Sequence, residues 1–339
     1  MESENLQTTE SPAVAPRGRE LTHKAKGSTH VVVLAGGDGT RLRPLTLALA
    51  GDGRPKQFCA LAGREPMVVQ TVRRATLIAP SEQILIVLNR RHEEWYREIF
   101  EGTPASSLLI QPENRGTATA VLYALLRIAA ETPHAPVVVL PSDHWVSNDS
   151  AFMLYAQAAV GVAEAHPEVV TLLGVEPTRA EGQYGWIEPG EPILGDWRGL
   201  SRVARFVEKP SVELAEALLR RGTSLWNTSV VVGQVEQLML LFSMARPRLV
   251  DSFLEIWTAL GSPAEAAAVA RMYPALPVAD LSRDVLVEQP DALSVLEVRG
   301  TAWEDLGHPR GLVEARRLLT LPPAPRRRVR RAGEHRGYM

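Results

Sequence analysis

Val31-Val32-Val33-Leu34-Ala35-Gly36-Gly37-Asp38-Gly39-Thr40-Arg41-Leu42 carries an unbroken apolar run straight into glycines and then an arginine. The β-branched run reads as a strand buried on both faces, because such strands are apolar throughout instead of alternating. The glycines let backbone N–H groups approach phosphate oxygens with no Cβ in the way. Arg41 adds a planar charged fork suited to a phosphate. The loop is not a Walker A motif, since no Gly-Lys-Ser/Thr follows. Leu42 stands where a dinucleotide fingerprint needs its third glycine. Alone, the stretch is a Gly-rich turn after a strand, which is common, with phosphate contact as one use of it.

Outward from this stretch, Ile84–Leu88 and Val137–Pro141 repeat the continuous apolar pattern. Val170–Val175, Val203–Val207, Val230–Val232 and Leu293–Val298 are further strand candidates. Ala118, Val121, Leu122, Leu125, Ile128 and Ala129 recur at helical spacing, as does Phe152–Ala165. Strand and helix alternate, which predicts an α/β fold: a doubly wound, mostly parallel Rossmann-like sheet with helices on both faces and ligands at the carboxyl ends of the strands. One connection breaks the pattern. The first strand ends near Ala35 and the next helix pattern starts near Pro66, a gap of about thirty residues where α/β units use about 2–6. It carries Arg41, Arg43, Arg54 and Lys56, so a functional loop is expected.

The bulk numbers agree with an ordinary globular chain. Of 339 residues, 45% are hydrophobic and 22% charged, and the net charge of −2 gives no overall attraction to nucleic acid or to anionic membranes. Cys59 is the single cysteine, which excludes an internal disulfide framework and a multi-cysteine zinc site. No apolar run nears the ~20 residues of a membrane span, and the first residues have no apolar signal core. A cytoplasmic protein is expected, with neither nucleic acid nor membrane as partner. Residues 1–29 read as a disordered leader and 321–339 as a disordered Arg-rich tail, leaving one domain over 30–320 with a helical insertion at about 212–275.

Leu34-Ala35-Gly36-Gly37-Asp38-Gly39-Thr40-Arg41-Leu42-Arg43-Pro44-Leu45-Thr46, followed by Arg54-Pro55-Lys56-Gln57-Phe58, resembles the signature of the sugar-1-phosphate nucleotidyltransferases. The Pro-Lys-Gln-Phe form is most similar to the mannose-1-phosphate guanylyltransferases. The resemblance implies a nucleotidyltransferase, or glycosyltransferase-A-like, form of the α/β fold. It also implies that Leu34, Ala35, Gly36, Gly37, Gly39, Thr40, Arg41 and Lys56 hold the triphosphate, with Arg41, Lys56 and Lys209 as the catalytic cations. Asp38 departs from the family, which has a small residue there; an acid beside a triphosphate must point away from it.

Further segments match in the same order, from about Val31 to Leu319. Gln111-Pro112-Glu113-Asn114-Arg115-Gly116-Thr117 resembles the base-recognition segment, so Glu113, Asn114, Arg115, Gly116 and Thr117 are expected at the nucleotide. Asn114 or Thr117 also suits the N-cap of the helix that follows. Asp143 follows a buried strand in Pro141-Ser142-Asp143-His144. Such an Asp is often only a turn or cap residue, but the family uses it to ligate Mg²⁺ beside the nucleotide. Gly182-Gln183-Tyr184-Gly185-Trp186, Glu208-Lys209-Pro210 and Trp226-Asn227-Thr228-Ser229 resemble the sugar-phosphate segments, which assigns Tyr184, Gly185, Glu208, Lys209 and Asn227 to that side. Thr228-Ser229 replaces a small-Gly pair, so a different backbone is expected there. Ser282-Arg283-Asp284-Val285 resembles the stretch that would make Asp284 the second Mg²⁺ ligand. Trp303-Glu304-Asp305-Leu306-Gly307 matches a terminal motif and reads as wall and packing.

The implied reaction joins an NTP, GTP by the motif variants, to a sugar 1-phosphate, mannose 1-phosphate by the same variants, with Mg²⁺ as cofactor. UTP or dTTP with glucose 1-phosphate is the alternative pair. A non-catalytic sugar-nucleotide-binding subunit is the alternative of another class, because fold alone does not establish catalysis. A homo-oligomer is compatible with the sequence. The length after Leu319 suggests a single activity.

Overall fold

The computed structural model describes residues 29–193, 197 and 199–320. The leader and the Arg-rich tail lie outside the described residues, apart from Thr29. The strands are β1 (His30–Leu34), β2 (Ile84–Asn89), β3 (Leu108–Gln111), β4 (Pro136–Pro141), β5 (His144–Val146), β6 (Val170–Val175), β7 (Gly185–Pro192), β8 (Leu200–Glu208), β9 (Leu225–Gln234), β10 (Leu293–Val298) and β11 (Trp303–Asp305). Nine of them form one sheet in the order β3-β2-β1-β4-β9-β6-β10-β8-β7, and β5 pairs with β11 in a separate ribbon.

The sheet is mixed, which corrects the mostly parallel expectation. β1–β2, β1–β4, β2–β3 and β6–β10 are parallel pairs. β4–β9, β6–β9, β8–β10, β7–β8 and β7–β9 are antiparallel. The cause is β9, which enters between β4 and β6 against both. A buried apolar strand such as Val230-Val231-Val232 looks the same in either direction, so composition cannot reveal this.

The helices are α1 (Arg43–Ala50), α2 (Met67–Ala75), α3 (Glu93–Tyr96), α4 (Thr117–Ala129), α5 (Asp149–Ala165), α6 (Val212–Arg221), α7 (Val235–Ala245), α8 (Pro247–Ser252), α9 (Leu254–Ala259), α10 (Glu265–Met272) and α11 (Pro309–Thr320). They cover both faces of the sheet, because successive strand residues point opposite ways. Val32 packs with α4, α7 and the helices after it. Val31 and Val33 pack with α2, α5 and α6 on the other side. The stretch expected to be helical at about 212–275 is split by β9, a strand in the middle of the sheet. The long connection after β1 holds α1, with Pro44 in its first turn, where a missing N–H costs nothing, and Gly51 at φ 84° ending it. Among the described residues no helix is long and apolar enough to cross a membrane.

Candidate active site

A cavity of about 470 Å³ opens at the carboxyl ends of β1 and β4. Its walls bring together most of the residues singled out in the sequence. Leu34, Gly36, Gly37, Gly39, Thr40, Arg41 and Lys56 line one side, and Asn114, Gly116, Thr117 and Asp143 adjoin them. Tyr184, Gly185, Glu208, Lys209 and Asn227 line the other. Ala35 is buried behind the loop, and its carbonyl accepts from Gln57 Nε2 at 2.9 Å. The same amide donates to Gly37 O at 2.7 Å, so buried Gln57 fixes the shape of the glycine loop. Gly39 sits at φ 59°, and a Cβ there would meet Lys56 N at 3.0 Å. The glycine is needed both for its backbone region and for the approach of Lys56.

Lys56 is the electrostatic centre. Its Nζ lies 2.6 Å from Asp143 Oδ2 and 3.5 Å from Asp305 Oδ1. Burial disfavours its charge, but the two carboxylates outweigh burial and hold its pKa above the ordinary lysine value. Burial likewise pushes Asp143 up, yet Lys56 and His144 reverse that and bring it down to about 2. Both groups are therefore charged at neutral pH.

Asp305 arrives through the β5–β11 ribbon, whose register sets Asp305 opposite His144. Asp143, His144 and Asp305 present ligand atoms within 4.8 Å of one another. Two carboxylate oxygens with a neighbouring ring nitrogen fit a divalent cation, which favours hard oxygen donors when it is Mg²⁺. This arrangement corrects the expectation for Asp284, which does not line the cavity. The Asp284 carboxylate accepts from Arg246 Nη2 at 2.9 Å, from Arg283 Nη2 at 3.0 Å and from Asp280 N at 2.7 Å. The Arg283 hydrogen bond leads in holding its pKa near 2. Asp284 thus closes its own turn, and Asp280 is the acid of that turn that faces the cavity.

In the segment expected to read the base, Glu113 and Arg115 pair with each other at 2.6 Å and neither lines the cavity. Arg115 also donates to Pro274 O, and Glu113 also meets Arg91 at 3.3 Å. These two expected base contacts are spent on bracing the segment. Gly116, at φ 88°, lets Ala279 approach so closely that a Cβ would lie 2.1 Å from Ala279 O. Thr117 Oγ1 accepts from Leu281 N at 2.8 Å and donates to Asp280 Oδ2 at 3.3 Å.

On the opposite side, Glu208 Oε1 and Lys209 Nζ are 3.0 Å apart. Burial raises the Glu208 pKa, against the lowering effect of Lys209. A Cβ on Gly185 would lie 2.8 Å from Glu208 Oε2, so the glycine makes room for that carboxylate. Ser229 keeps a glycine-like backbone, φ 56°, and Asn227 Oδ1 accepts from its N–H at 3.0 Å. At the Thr228-Ser229 pair the backbone is thus a left-handed turn built without glycine. Beneath this wall, Tyr184 Oη donates to Glu304 at 2.9 Å, and Arg179 grips both Glu304 oxygens at 2.8 and 2.9 Å while lying over the Trp226 ring.

The sequence reading assigned Gln57, Gln111 and Asp280 no role in the cavity, and placed the segment that holds Asp305 as wall and packing, not as chemistry. Asp305 was within reach: an acid flanked by Trp303 and Gly307 in the same ordered series carried the signal. Gln111 opens the segment that resembles base recognition without a role of its own, and Asp280 has no local pattern that separates it from surface polar residues.

A glycine loop, cationic side chains and paired carboxylates around one cleft at the carboxyl ends of the strands are what a nucleotidyltransferase of the α/β class needs. A profile of the Nucleotidyl transferase family matches residues 30–320, and the chain belongs to that family. It is 31% identical over 280 residues to the xanthan biosynthesis protein XanB of Xanthomonas campestris pv. campestris, covering 81% of this chain and 57% of that protein. It is 31% identical over 235 residues to the mannose-1-phosphate guanylyltransferase of Escherichia coli K12, covering 67% of this chain and 47% of the relative. The chain thus spans about half the length of these curated relatives. A crystal structure named mannose-1-phosphate geranyltransferase, from Thermus thermophilus, superposes with a TM-score of 0.71 at 30% identity, covering 87% of this chain and 80% of that one. A UDP-glucose pyrophosphorylase bound to UDP-glucose shares the fold at 16% identity, with a TM-score of 0.54.

Proposed function

We propose that this chain transfers a nucleoside monophosphate from a nucleoside triphosphate, GTP by preference, to a sugar 1-phosphate, mannose 1-phosphate by preference, and releases pyrophosphate. The observation that carries the reading is the Lys56–Asp143–Asp305 cluster, set between the glycine loop and the Glu208–Lys209 pair in one cavity. The GTP and mannose preference rests on the Pro55-Lys56-Gln57-Phe58 variant and on the names of the relatives.

The nucleophile is a phosphate oxygen of the sugar phosphate, already ionised at neutral pH, so no general base is required. It attacks the α-phosphorus; the bond from that phosphorus to the α–β bridging oxygen breaks, and pyrophosphate leaves with the electron pair. The site's task is to align two anions and to neutralise charge. Backbone N–H groups of Gly36 to Thr40 and the Arg41 guanidinium hold the triphosphate. Lys56 faces the reacting phosphate, Lys209 draws in the sugar phosphate, and Glu208 and Asn227 accept from sugar hydroxyls. A divalent cation, Mg²⁺ in this reading, held by Asp143 and Asp305 would screen the phosphate oxygens.

The test is pyrophosphate release from each nucleoside triphosphate paired with mannose 1-phosphate or glucose 1-phosphate in the presence of Mg²⁺. Release with GTP and mannose 1-phosphate is expected. Release only with UTP or dTTP overturns the base assignment, and release with no pair favours a pure binder. Lys56→Ala and Asp143→Ala should each lower kcat/KM at least ~100-fold, the scale of a lost charge-stabilising group. Near-wild-type turnover in either variant sinks the assignment.

A further inference from the structure

Asp38 sits inside the glycine loop, yet the cavity wall passes from Gly37 to Gly39 without it. Its carboxylate turns away and accepts two hydrogen bonds. One comes from Asn114 Nδ2, at 2.9 Å to Oδ2; the other joins His92 Nε2, at 3.1 Å to Oδ1. These partners stand on the segments that follow β3 and β2, while Asp38 follows β1. The three strands are neighbours in the sheet, so one carboxylate ties together the loops at their carboxyl ends.

Each partner is itself fixed. Asn114 Oδ1 accepts from Gly116 N at 2.9 Å, which leaves its NH₂ group to point at Asp38. His92 is buried among Phe58 and Trp95, and its Nδ1 is buried without a partner among the described residues. Burial lowers its pKa despite the opposing pull of Asp38, so the ring is neutral at pH 7 and Nε2 carries the proton that Asp38 accepts. A carboxylate accepts from both donors at once, whereas an amide in its place has one carbonyl for two donors. The acid that departs from the family pattern thereby has a role that requires it to be an acid.

We propose that Asp38 is a positioning residue, which locks the phosphate-binding glycine loop to the Asn114 segment and so sets the affinity for the nucleoside triphosphate without touching it. This rests on the nucleotidyltransferase reading above. The prediction concerns an exchange of partners. Asp38→Asn leaves one donor unanswered, and Asn114→Asp sets two carboxylates face to face. Asp38→Asn combined with Asn114→Asp restores an amide-to-carboxylate bond with its direction reversed. It keeps an acceptor for His92 and for Gly116 N, and it leaves the net charge unchanged.

The full chain is titrated calorimetrically with Mg²⁺ and GTP, and separately with mannose 1-phosphate, with thermal melting run in parallel. Each single variant should weaken GTP binding on the order of tenfold, the scale of one lost charge-assisted hydrogen bond, while the exchanged pair binds GTP more tightly than Asn114→Asp alone. Mannose 1-phosphate affinity should stay within about twofold in all three variants, since no contact on that side is altered. Unchanged GTP affinity in both single variants overturns the proposal, as does an exchanged pair no better than the weaker single. Equal losses for both ligands that track a fall in Tm also overturn it, because they mark general destabilisation. A wild-type chain that binds no nucleoside triphosphate overturns the underlying functional reading, and this inference with it.

Discussion

The two halves of the sheet build their walls of the cavity by different means. In the parallel half, β3-β2-β1-β4, the unusual backbone is carried by glycine: Gly39 at φ 59° and Gly116 at φ 88°. In the mixed half, β9-β6-β10-β8-β7, it is carried by Lys209 at φ 48° and Ser229 at φ 56°. Glycine suits a wall whose working groups are backbone N–H donors, since what matters there is close approach. A wall that works through side chains cannot give them up, so it holds them in a strained region. Lys209 both takes the strained conformation and directs an ammonium toward the cavity. The halves thus differ in where the structure stores its cost: in chain entropy at Gly39 and Gly116 and in backbone strain at Lys209 and Ser229.

Gly116→Ala should break the first half most severely. The new Cβ would meet the Ala279 carbonyl oxygen at 2.1 Å, from a backbone with φ 88° and ψ 168° that alanine avoids. The neighbouring bonds Ala118 N to Ala279 O and Ala279 N to Arg115 O, both 3.0 Å, cannot yield without being lost. We expect a loss of about 4 kcal/mol or more in urea unfolding, within the range of severe backbone and packing defects. A loss below about 1 kcal/mol would show that the segment has slack and that glycine is not what shapes this half.

The mixed half should fail next at Arg179. Glu304 is 3% exposed and holds both its oxygens against the guanidinium. Arg179→Met leaves that carboxylate buried with Tyr184 Oη as its remaining donor, at a cost of about 3 kcal/mol. Adding Glu304→Gln should recover part of it, because the stranded charge is gone. Urea unfolding of the single and double variants checks this; a double variant less stable than the single rejects the ion-pair account.

The same division explains what could be read from the sequence. β1, β2 and β4 announce themselves as continuous apolar runs, because parallel strands are covered on both faces. The α4 and α5 periodicities also correspond to observed helices. β7 has Glu188-Pro189-Gly190-Glu191-Pro192 in its second half and no such signature. That half pairs with β8 alone, whereas Trp186 and Ile187 also pair with β9, so a missing N–H is tolerated there. β3 is an edge strand of four residues, too short for a pattern. In the candidate site, Lys56, Asp143 and Glu208-Lys209 were legible because each lies in a contiguous motif. The partner of Asp143 was misplaced at Asp284 because strand pairing decides it. The Trp303–Gly307 motif marks Asp305, but nothing in it says that β11 will lie against β5 and set that acid opposite His144.

The smallest test separates strain from function in the mixed half. Ser229 occupies a left-handed backbone that costs a β-carbon residue about 1–2 kcal/mol and costs glycine nothing. Glycine loses more chain entropy on folding, about 0.5–1 kcal/mol. The difference leaves Ser229→Gly more stable than wild type by about 0.5 kcal/mol. The Asn227 bond to the residue 229 N–H is a backbone contact and survives the change. Ser229 lines the cavity, so a gain in unfolding free energy joined to weaker sugar-phosphate affinity would show that the strain is retained for what the side chain does. A gain without any change in affinity would assign the strain to sequence history and remove Ser229 from the working wall. A loss of stability would mean that the left-handed turn depends on the serine side chain, and the contrast between the two halves would then hold for Lys209 alone.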